Sequence, residues 1–554
     1  MALWPLPRHL KSGSTTLWLD PDVQYAHHVN SQPLRDEVPW YQGLEKPQSS
    51  HHLPATKPPS YPQDVLEVAF QRFNSKVFSE HFVPHKFYPR RSRFEPSIDG
   101  TGMLINKITI NEVSFVSLGN GQHTVSREAY LIRILQDGTT TLEILSPEGG
   151  IHAFDTFAQL FYAHSAIGES VYTPYAPVLI TDAPAFEHRG LNLDISRNWI
   201  APQDVLRTIE AMGFNKFNKL HLHATDAQSW PLEIPASPDL SSKGAYRWDQ
   251  VWTTKDLENV QRHGLYHGVE VYLEIDLPGH SASIFHSYPG LITAYDKPWN
   301  KYAQEPPSGQ LKLDSPSVPP FLTILFNDLL PRTQPFSTHF HIGGDEINKE
   351  SYVLEPTVKS SSKVDIQPLL QKFMNHVLSL LENHSLTPIV WEDMLLEWNL
   401  ELPPDTIIQT WRSASSLAKV VEKGGPIARS SARAKNGIWT ADSAPLLIPK
   451  IQGIRNRLLN ILIVIADIPE EKKYLVVGGE VHLWCELTDG VNLDSMLWPR
   501  AAAAAEVLWR GKGEVGEGTT RRLAEMRERL VARGIGAGMV QMTWGLMNEG
   551  SCIL

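Results

Sequence analysis

Cysteine is nearly missing from this chain: 554 residues hold only Cys485 and Cys552. Two cysteines cannot build a disulfide framework, so the fold must rest on its own cores. Long apolar runs are missing too. The best candidate, Leu458 to Ala466, is interrupted by Asn460 and is about half of the ~20 residues a membrane-spanning helix needs. No membrane span is therefore expected. The opening MALWPLPRHLKSG lacks the continuous apolar stretch of a signal peptide, which taken alone suggests a cytosolic protein or an incomplete N-terminus. There is no basic stripe. Lys and Arg number 50 against 61 Asp and Glu, a formal net charge of −11, so nucleic acid is not an expected partner.

What is present suits a large folded enzyme. A hydrophobic content of 42% and a charged content of 20% support full-sized cores, and the length suggests two to four domains. Sixteen tryptophans exceed the needs of an ordinary core. Indole faces also stack on the apolar faces of pyranose rings, so the excess is compatible with a sugar site.

Two patterns divide the chain. Residues 1 to about 62 are rich in Pro, His and Ser, with a short strand-like segment at 15–20. Residues 63–80 repeat apolar positions near the helical period. Alternating segments at 103–115, 129–135 and 140–146 read as strands, with Asp137-Gly138 as a hairpin turn, and 149–162 reads as a second helix. From about 187, strand and helix signals alternate for ~350 residues. Seven strands are clear, at 190–196, 216–225, 269–276, 339–346, 386–393, 405–411 and 474–484, and one place is blurred. The expected class is α/β: a (β/α)₈ TIM barrel over 183–554, preceded by an accessory α+β domain over 1–182.

In such barrels the chemistry sits at the C-terminal strand ends. Polar clusters fall there: Asp226, Asp276 to His280, Asp345-Glu346, Trp391 to Asp393, and Trp484 to Glu486. Adjacent strand residues point to opposite faces, so Asp345 and Glu346 converge on one ligand only if the strand breaks, which Gly343-Gly344 permits. The plain alternative is a solvated strand end. His221 and His223 share one face of a strand, as either a metal pair or two hydrogen-bonded core histidines. His280 is either a solvated turn residue or part of a proton relay. Arg189 is either a strand-start charge or a fork for sugar hydroxyls. Trp391, Trp411 and Trp484 each end a strand and together suggest an aromatic-walled pocket.

In order along the chain, H-R-G-L-N-L-D-I-S-R (188–197), H-L-H-A-T-D-A-Q-S-W (221–230), E-I-D-L-P-G-H (274–280), H-I-G-G-D-E (341–346), V-W-E-D (390–393), Q-T-W (409–411), G-G-E-V-H-L-W-C-E (478–486) and W-P-R-A-A-A-A-A-E (498–506) resemble glycoside hydrolase family 20, the β-N-acetylhexosaminidases, and fungal members most closely. The resemblance implies a retaining exo-hydrolase that removes terminal N-acetylglucosamine or N-acetylgalactosamine through the substrate's own acetamido group. Its partners would be β-linked N-acetylhexosamine glycans such as chitooligosaccharides or glycoconjugates. It implies Glu346 as general acid/base and Asp345 as the carboxylate on the acetamido nitrogen. Asp226 and His280 would bear on that acid, Arg189 and Glu486 would contact sugar hydroxyls, and the three tryptophans would wall the ring. No cofactor or metal is expected. The resemblance also implies an extracellular or vacuolar location and allows a homodimer. It calls for a W-Y-L-D segment at the seventh strand; Ile438 to Asp442 would put Thr440 in the tyrosine's place. Two rivals follow: an inactive sugar-binding homologue with a disrupted seventh strand, and a metal-dependent amidohydrolase using His221 and His223.

Overall fold

The structure, a computed structural model, describes residues 1–31, 44, 46–47, 60–98, 102–113, 123–423, 436–442, 468–511 and 517–548. The first unit is a mixed sheet of β1 (His9–Ser31), β2 (Met103–Val113), β3 (Tyr130–Ile134), β4 (Thr140–Ile144), β5 (Tyr162–His164) and β6 (Ile167–Asp182). Its order is β1-β2-β4-β3-β6-β5, with β1 also pairing β6. The Asp137-Gly138 turn joins β3 to β4: Gly138 takes φ +88°, and the Leu135 N–H donates to the Thr139 carbonyl at 2.9 Å. Helices α1 (Val65–Ser79) and α2 (Pro147–Ala158) cover one face. They meet through Phe70, Phe73, Phe154 and Phe157, with ring centroids 5.1–6.0 Å apart. The Ser146 side chain caps α2, with Pro147 at its first position.

This sheet is larger than the sequence suggests. β1 runs on both sides of the strand-like 15–20 segment, and its register with β2 shifts between Leu19 and Gln24, around Pro21. β6 contains Pro174 and Pro177. Proline cannot donate to a ladder and argues against a strand on sequence alone.

The second unit is a closed barrel of eight parallel strands: β7 (His188–Asp194), β8 (Lys219–Thr225), β9 (Glu270–Ile275), β10 (His339–His341), β11 (Thr387–Trp391), β12 (Ile407–Thr410), β13 (Asn436–Asp442) and β14 (Val476–Leu483). Helices α3 (Pro202–Phe214), α4 (Thr254–Tyr266), α5 (Val318–Thr333), α6 (Lys363–Asn383), α7 (Ala414–Lys423) and α8 (Arg500–Arg510) follow strands, and α9 (Glu517–Ala532) packs behind α8. The blurred place is β13, the seventh barrel strand along the chain. It pairs with β12 and β14, and Thr440 lies level with Glu480. The barrel is therefore closed at this place, which leaves the disrupted-strand rival without support. Residues 424–435 and 443–467, the rest of that stretch, lie outside the described residues. β10 is a correction: it ends at His341, five residues before Glu346. Among the described residues no helix is long and apolar enough to cross a membrane.

Strand alternation sets the interior. Leu220, Leu222, Val271, Leu273, Phe340 and Ile408 are buried in the main apolar core. The alternate positions hold His221, His223, Tyr272, Glu274, His341 and Gln409, all equally buried. Branched aliphatic layers usually fill such a barrel; here the filling is ionic and aromatic.

Candidate active site

The segment after β10 leaves strand geometry at once. Gly343 and Gly344 take φ +75° and +98°. A Cβ at Gly343 would lie 1.9 Å from Asp276 Oδ1, so only glycine fits. The Gly344 N–H donates to Asp276 Oδ1 at 2.8 Å, and the Gly343 N–H to His341 Nδ1 at 2.9 Å. Glu346 itself has φ +52°, held by its N–H on Asp393 Oδ1 at 3.2 Å. A non-glycine residue in this region carries about 1–3 kcal/mol of strain, which the surrounding bonds must offset. The result is what strand alternation forbids: two successive acids at one place.

Asp345 is the more buried of the pair, with side-chain exposures of 14% against 26% for Glu346. Its Oδ1 is buried and has no hydrogen-bond partner among the described residues. Burial, and then the neighbouring Asp276 carboxyl, push Asp345 well above the usual carboxylate range. Burial also pushes Asp276 up to about 6. Two carboxyls in one buried space cannot both ionise cheaply, so the pair shares a proton that sits mainly on Asp345.

Glu346 faces a different set. His280 Nε2 lies 3.4 Å from Glu346 Oε2 and 3.9 Å from Asp345 Oδ2. His280 Nδ1 lies 3.1 Å from Asp226 Oδ1. Asp226 also meets Arg197 Nη2 at 3.0 Å and His223 Nε2 at 2.7 Å. Burial opposes its charge, but Arg197 and then His280 keep Asp226 ionised, well below the usual carboxylate range. Burial likewise opposes a charged His280, and Asp226, Asp276 and Asp345 together hold its pKa well above the ordinary imidazole value. His280 and Glu346 border a hollow also lined by Tyr302, Glu305 and Gln310.

The tryptophans take three positions. Trp391 is 1% exposed, and its indole N–H donates to Glu274 Oε1 at 2.8 Å. Its ring lies 6.1 Å from Trp484, over which the Arg197 guanidinium sits at 4.9 Å. Trp411 is half-buried, and its N–H donates to Asp393 Oδ2 at 2.9 Å. Glu486 is exposed beside this group; Asn198 Nδ2 donates to its backbone carbonyl at 3.2 Å.

Arg189 requires a correction. It is fully buried at the N-terminal end of β7, away from the mouth. Its Nε donates to Lys216 O and its Nη1 to Phe186 O, both at 2.8 Å. Its fork grips Glu128 of the accessory unit, and its guanidinium stacks 5.0 Å over Trp509. It joins the two units and cannot reach a sugar at the mouth. Arg197, three residues beyond the end of β7, stands where Arg189 was expected. The signal was available, because Arg197 follows the strand's C-terminal end. Asp276 and Asp393, which the sequence places in strand-end polar clusters without a role of their own, are further members of the site.

The metal reading also fails on donor chemistry. Both nitrogens of His221 and of His223 face carboxylate oxygens at 2.5–3.2 Å, and both rings are at most 1% exposed. A catalytic zinc site keeps one position open to substrate, and this buried cluster offers none.

Comparison with known proteins agrees with this geometry. Residues 186–512 match the model of the glycosyl hydrolase family 20 catalytic domain, and residues 3–160 match a family described as beta-acetyl hexosaminidase like. A beta-hexosaminidase of Arthroderma benhamiae is 42% identical over 594 residues, covering 100% of this chain and 97% of that protein. The beta-hexosaminidase subunit beta of Mus musculus is 30% identical, covering 97% and 91%. Among solved structures, the chitobiase of Flavobacterium johnsoniae superposes with a TM-score of 0.72 at 21% identity, covering 97% of this chain and 73% of that one. The N-acetyl-beta-hexosaminidase of Streptomyces plicatus, in complex with Thio-NAglucal, gives 0.66 at 19% identity, covering 97% and 96%. Two acids converging at the mouth of a closed barrel, and a catalytic-domain match over most of that barrel, place this chain in glycosyl hydrolase family 20, and it is a glycoside hydrolase.

Proposed function

We propose that the protein is a retaining exo-β-N-acetylhexosaminidase that uses its substrate's acetamido group as the nucleophile. The substrates are terminal N-acetylglucosamine or N-acetylgalactosamine on β-linked glycans. The names of the two relatives above support the sugar class. The observation that carries the mechanism is the unequal environment of the adjacent acids. Asp345 offers a buried, unpartnered acceptor, while Glu346 stands against the His280 and Asp226 relay.

Glu346, acting as the acid, gives a proton to the glycosidic oxygen as the bond breaks. The acetamido oxygen attacks the anomeric carbon from the opposite face and forms an oxazolinium ion. Asp345 accepts the acetamido N–H, which bends the group over the ring and gives the reaction an intramolecular advantage. As positive charge develops on that group it draws Asp345 into its ionised form, which then stabilises the ion. Glu346, now a base, takes a proton from water, which opens the ring with net retention. Trp391, Trp411 and Trp484 wall the acetamido pocket in this reading, and Arg197 and Glu486 hold sugar hydroxyls. The division at residues 182/183 and an extracellular or vacuolar location belong to the same reading, on the strength of the fungal resemblance.

The test is turnover of a chromogenic N-acetylglucosaminide against the matching glucoside. Glu346→Gln should lower kcat by roughly 10²–10⁴-fold with the fold intact. Asp345→Asn should lose on the order of 10²–10³-fold, on the acetamido substrate alone. Binding of the sugar without turnover by the unaltered protein would sink the reading.

A further inference from the structure

The polar interior of the barrel continues below Asp226. His223 links Asp226 to Glu274: its Nε2 lies 2.7 Å from Asp226 Oδ2, and its Nδ1 lies 2.5 Å from Glu274 Oε2. His221 links Glu274 to Glu480: its Nε2 lies 2.9 Å from the same Glu274 oxygen, and its Nδ1 lies 3.2 Å from Glu480 Oε2. His188 ends the chain, donating from Nε2 to Glu480 Oε1 at 2.6 Å. Every member is at most 3% exposed.

The contacts bear on the charges. A neutral imidazole has a single N–H. His223 and His221 each face a carboxyl at both nitrogens, and Glu274, Glu480 and Asp226 are all held well below the usual carboxylate range, so a second proton and a positive charge on each ring satisfy these contacts. His341 differs: its Nδ1 accepts the Gly343 N–H, and burial keeps that ring below its ordinary value. Glu274 is the hub. One of its oxygens holds both cations, and the other accepts the Trp391 indole N–H at 2.8 Å and lies 3.1 Å from His341 Nδ1.

We propose that Glu274 is a positioning residue for the acid/base, clamping the His221 and His223 cations and the Trp391 indole on one carboxylate. It thereby sets the charge beneath Asp226 and the floor of the sugar pocket together. The inference rests on the function proposed above and adds a part of the barrel that does not touch substrate. Burial works against both cations, yet Glu274 and Glu480 raise His221 to about 9, and Glu274 and Asp226 hold His223 well above its ordinary value. Arg197 Nη1 also lies 3.4 Å from His223 Nε2, an Asp276 oxygen lies within 4.8 Å of a ring nitrogen, and Trp484 stands against the ring. Tyr272, His341, Trp391 and His482 surround the His221 ring.

Nitrogen NMR of the histidine-labelled protein at pH 7 should show two buried rings with both nitrogens protonated. Glu274→Gln keeps an acceptor for Trp391 but leaves two cationic rings facing an amide, so one ring should return to ordinary titration. The expected result is a kcat lowered on the order of 10–100-fold, from a displaced relay. KM should move by less than about threefold, because the floor stays in place. The kcat–pH curve should also gain an ionisation near neutrality that the unaltered protein lacks. A variant curve parallel to that of the unaltered protein would mean packing alone and would overturn the proposal. If Glu274→Gln does not fold, the spectrum decides: one unprotonated nitrogen on each of His221 and His223 overturns it. Absence of turnover in the unaltered protein would defeat the proposed function, and this inference with it. Normal turnover beside a parallel variant curve defeats this inference alone.

Discussion

Replacing Glu128 with glutamine tests whether Arg189 is a lock between the two units or a ligand for sugar. Arg189 is fully buried, and Glu128 supplies its carboxylate, with His152 Nε2 at 2.9 Å on the same group. Burial opposes the charge on Glu128, but Arg189 and His152 outweigh it and hold this carboxyl well below its ordinary value. Removing one partner of such a pair strands a buried charge, at about 3–5 kcal/mol. If the barrel unfolds as one unit of ~350 residues, an unfolding entropy of about 2.1 cal/mol/K per residue converts this to a Tm fall of roughly 4–7 °C. The sign with pH follows from the depressed carboxyl. Its stabilisation is present above the unfolded-state value and is lost as pH falls through the lower folded value. The gap between the two proteins should thus be full at neutral pH and narrow by at most about 1.4 kcal/mol for each pH unit below the unfolded-state value. Calorimetry at pH 7 and at about pH 3.5 measures it, with KM read on folded protein at 25 °C. A KM raised tenfold with Tm unmoved would place Arg189 at the sugar and refute the reasoning.

Asp276→Asn tests the shared proton: burial raises Asp276 to about 6, so its contribution to stability is present in acid and lost as pH rises through that value. The variant's Tm relative to the unaltered protein should rise between pH 4.5 and 7, and an equal difference at both would contradict a shared proton. Thr440→Tyr restores the residue type that the resemblance calls for at a position level with Glu480. It should raise kcat by roughly tenfold, less than a fully built oxyanion donor supplies; unchanged or lower kcat would show that the site does not use a donor there.

The barrel strands that were legible carry apolar residues on their outward face, as Leu220 and Leu222 do on β8. Asp345 and Glu346 were legible because Gly343-Gly344 announces a break before them. The failures have physical causes. Arg189 and Arg197 both flank β7, and only position along the strand separates the accessory-domain end from the mouth. β6 was hidden by Pro174 and Pro177. The role of Glu274 could not be read, because its partners His221, His341 and Trp391 come from three strands that only closure of the barrel brings together.

An ionic filling makes this barrel vulnerable in an unusual way. A hydrocarbon centre is indifferent to acidity, whereas this one depends on Glu274 and Glu480 keeping their charge among His188, His221, His223, His341 and His482. Acid strong enough to neutralise those two side chains would leave like-charged rings facing each other across a few ångströms, and the mouth would lose its shape from below, even where every sugar-contacting residue is untouched.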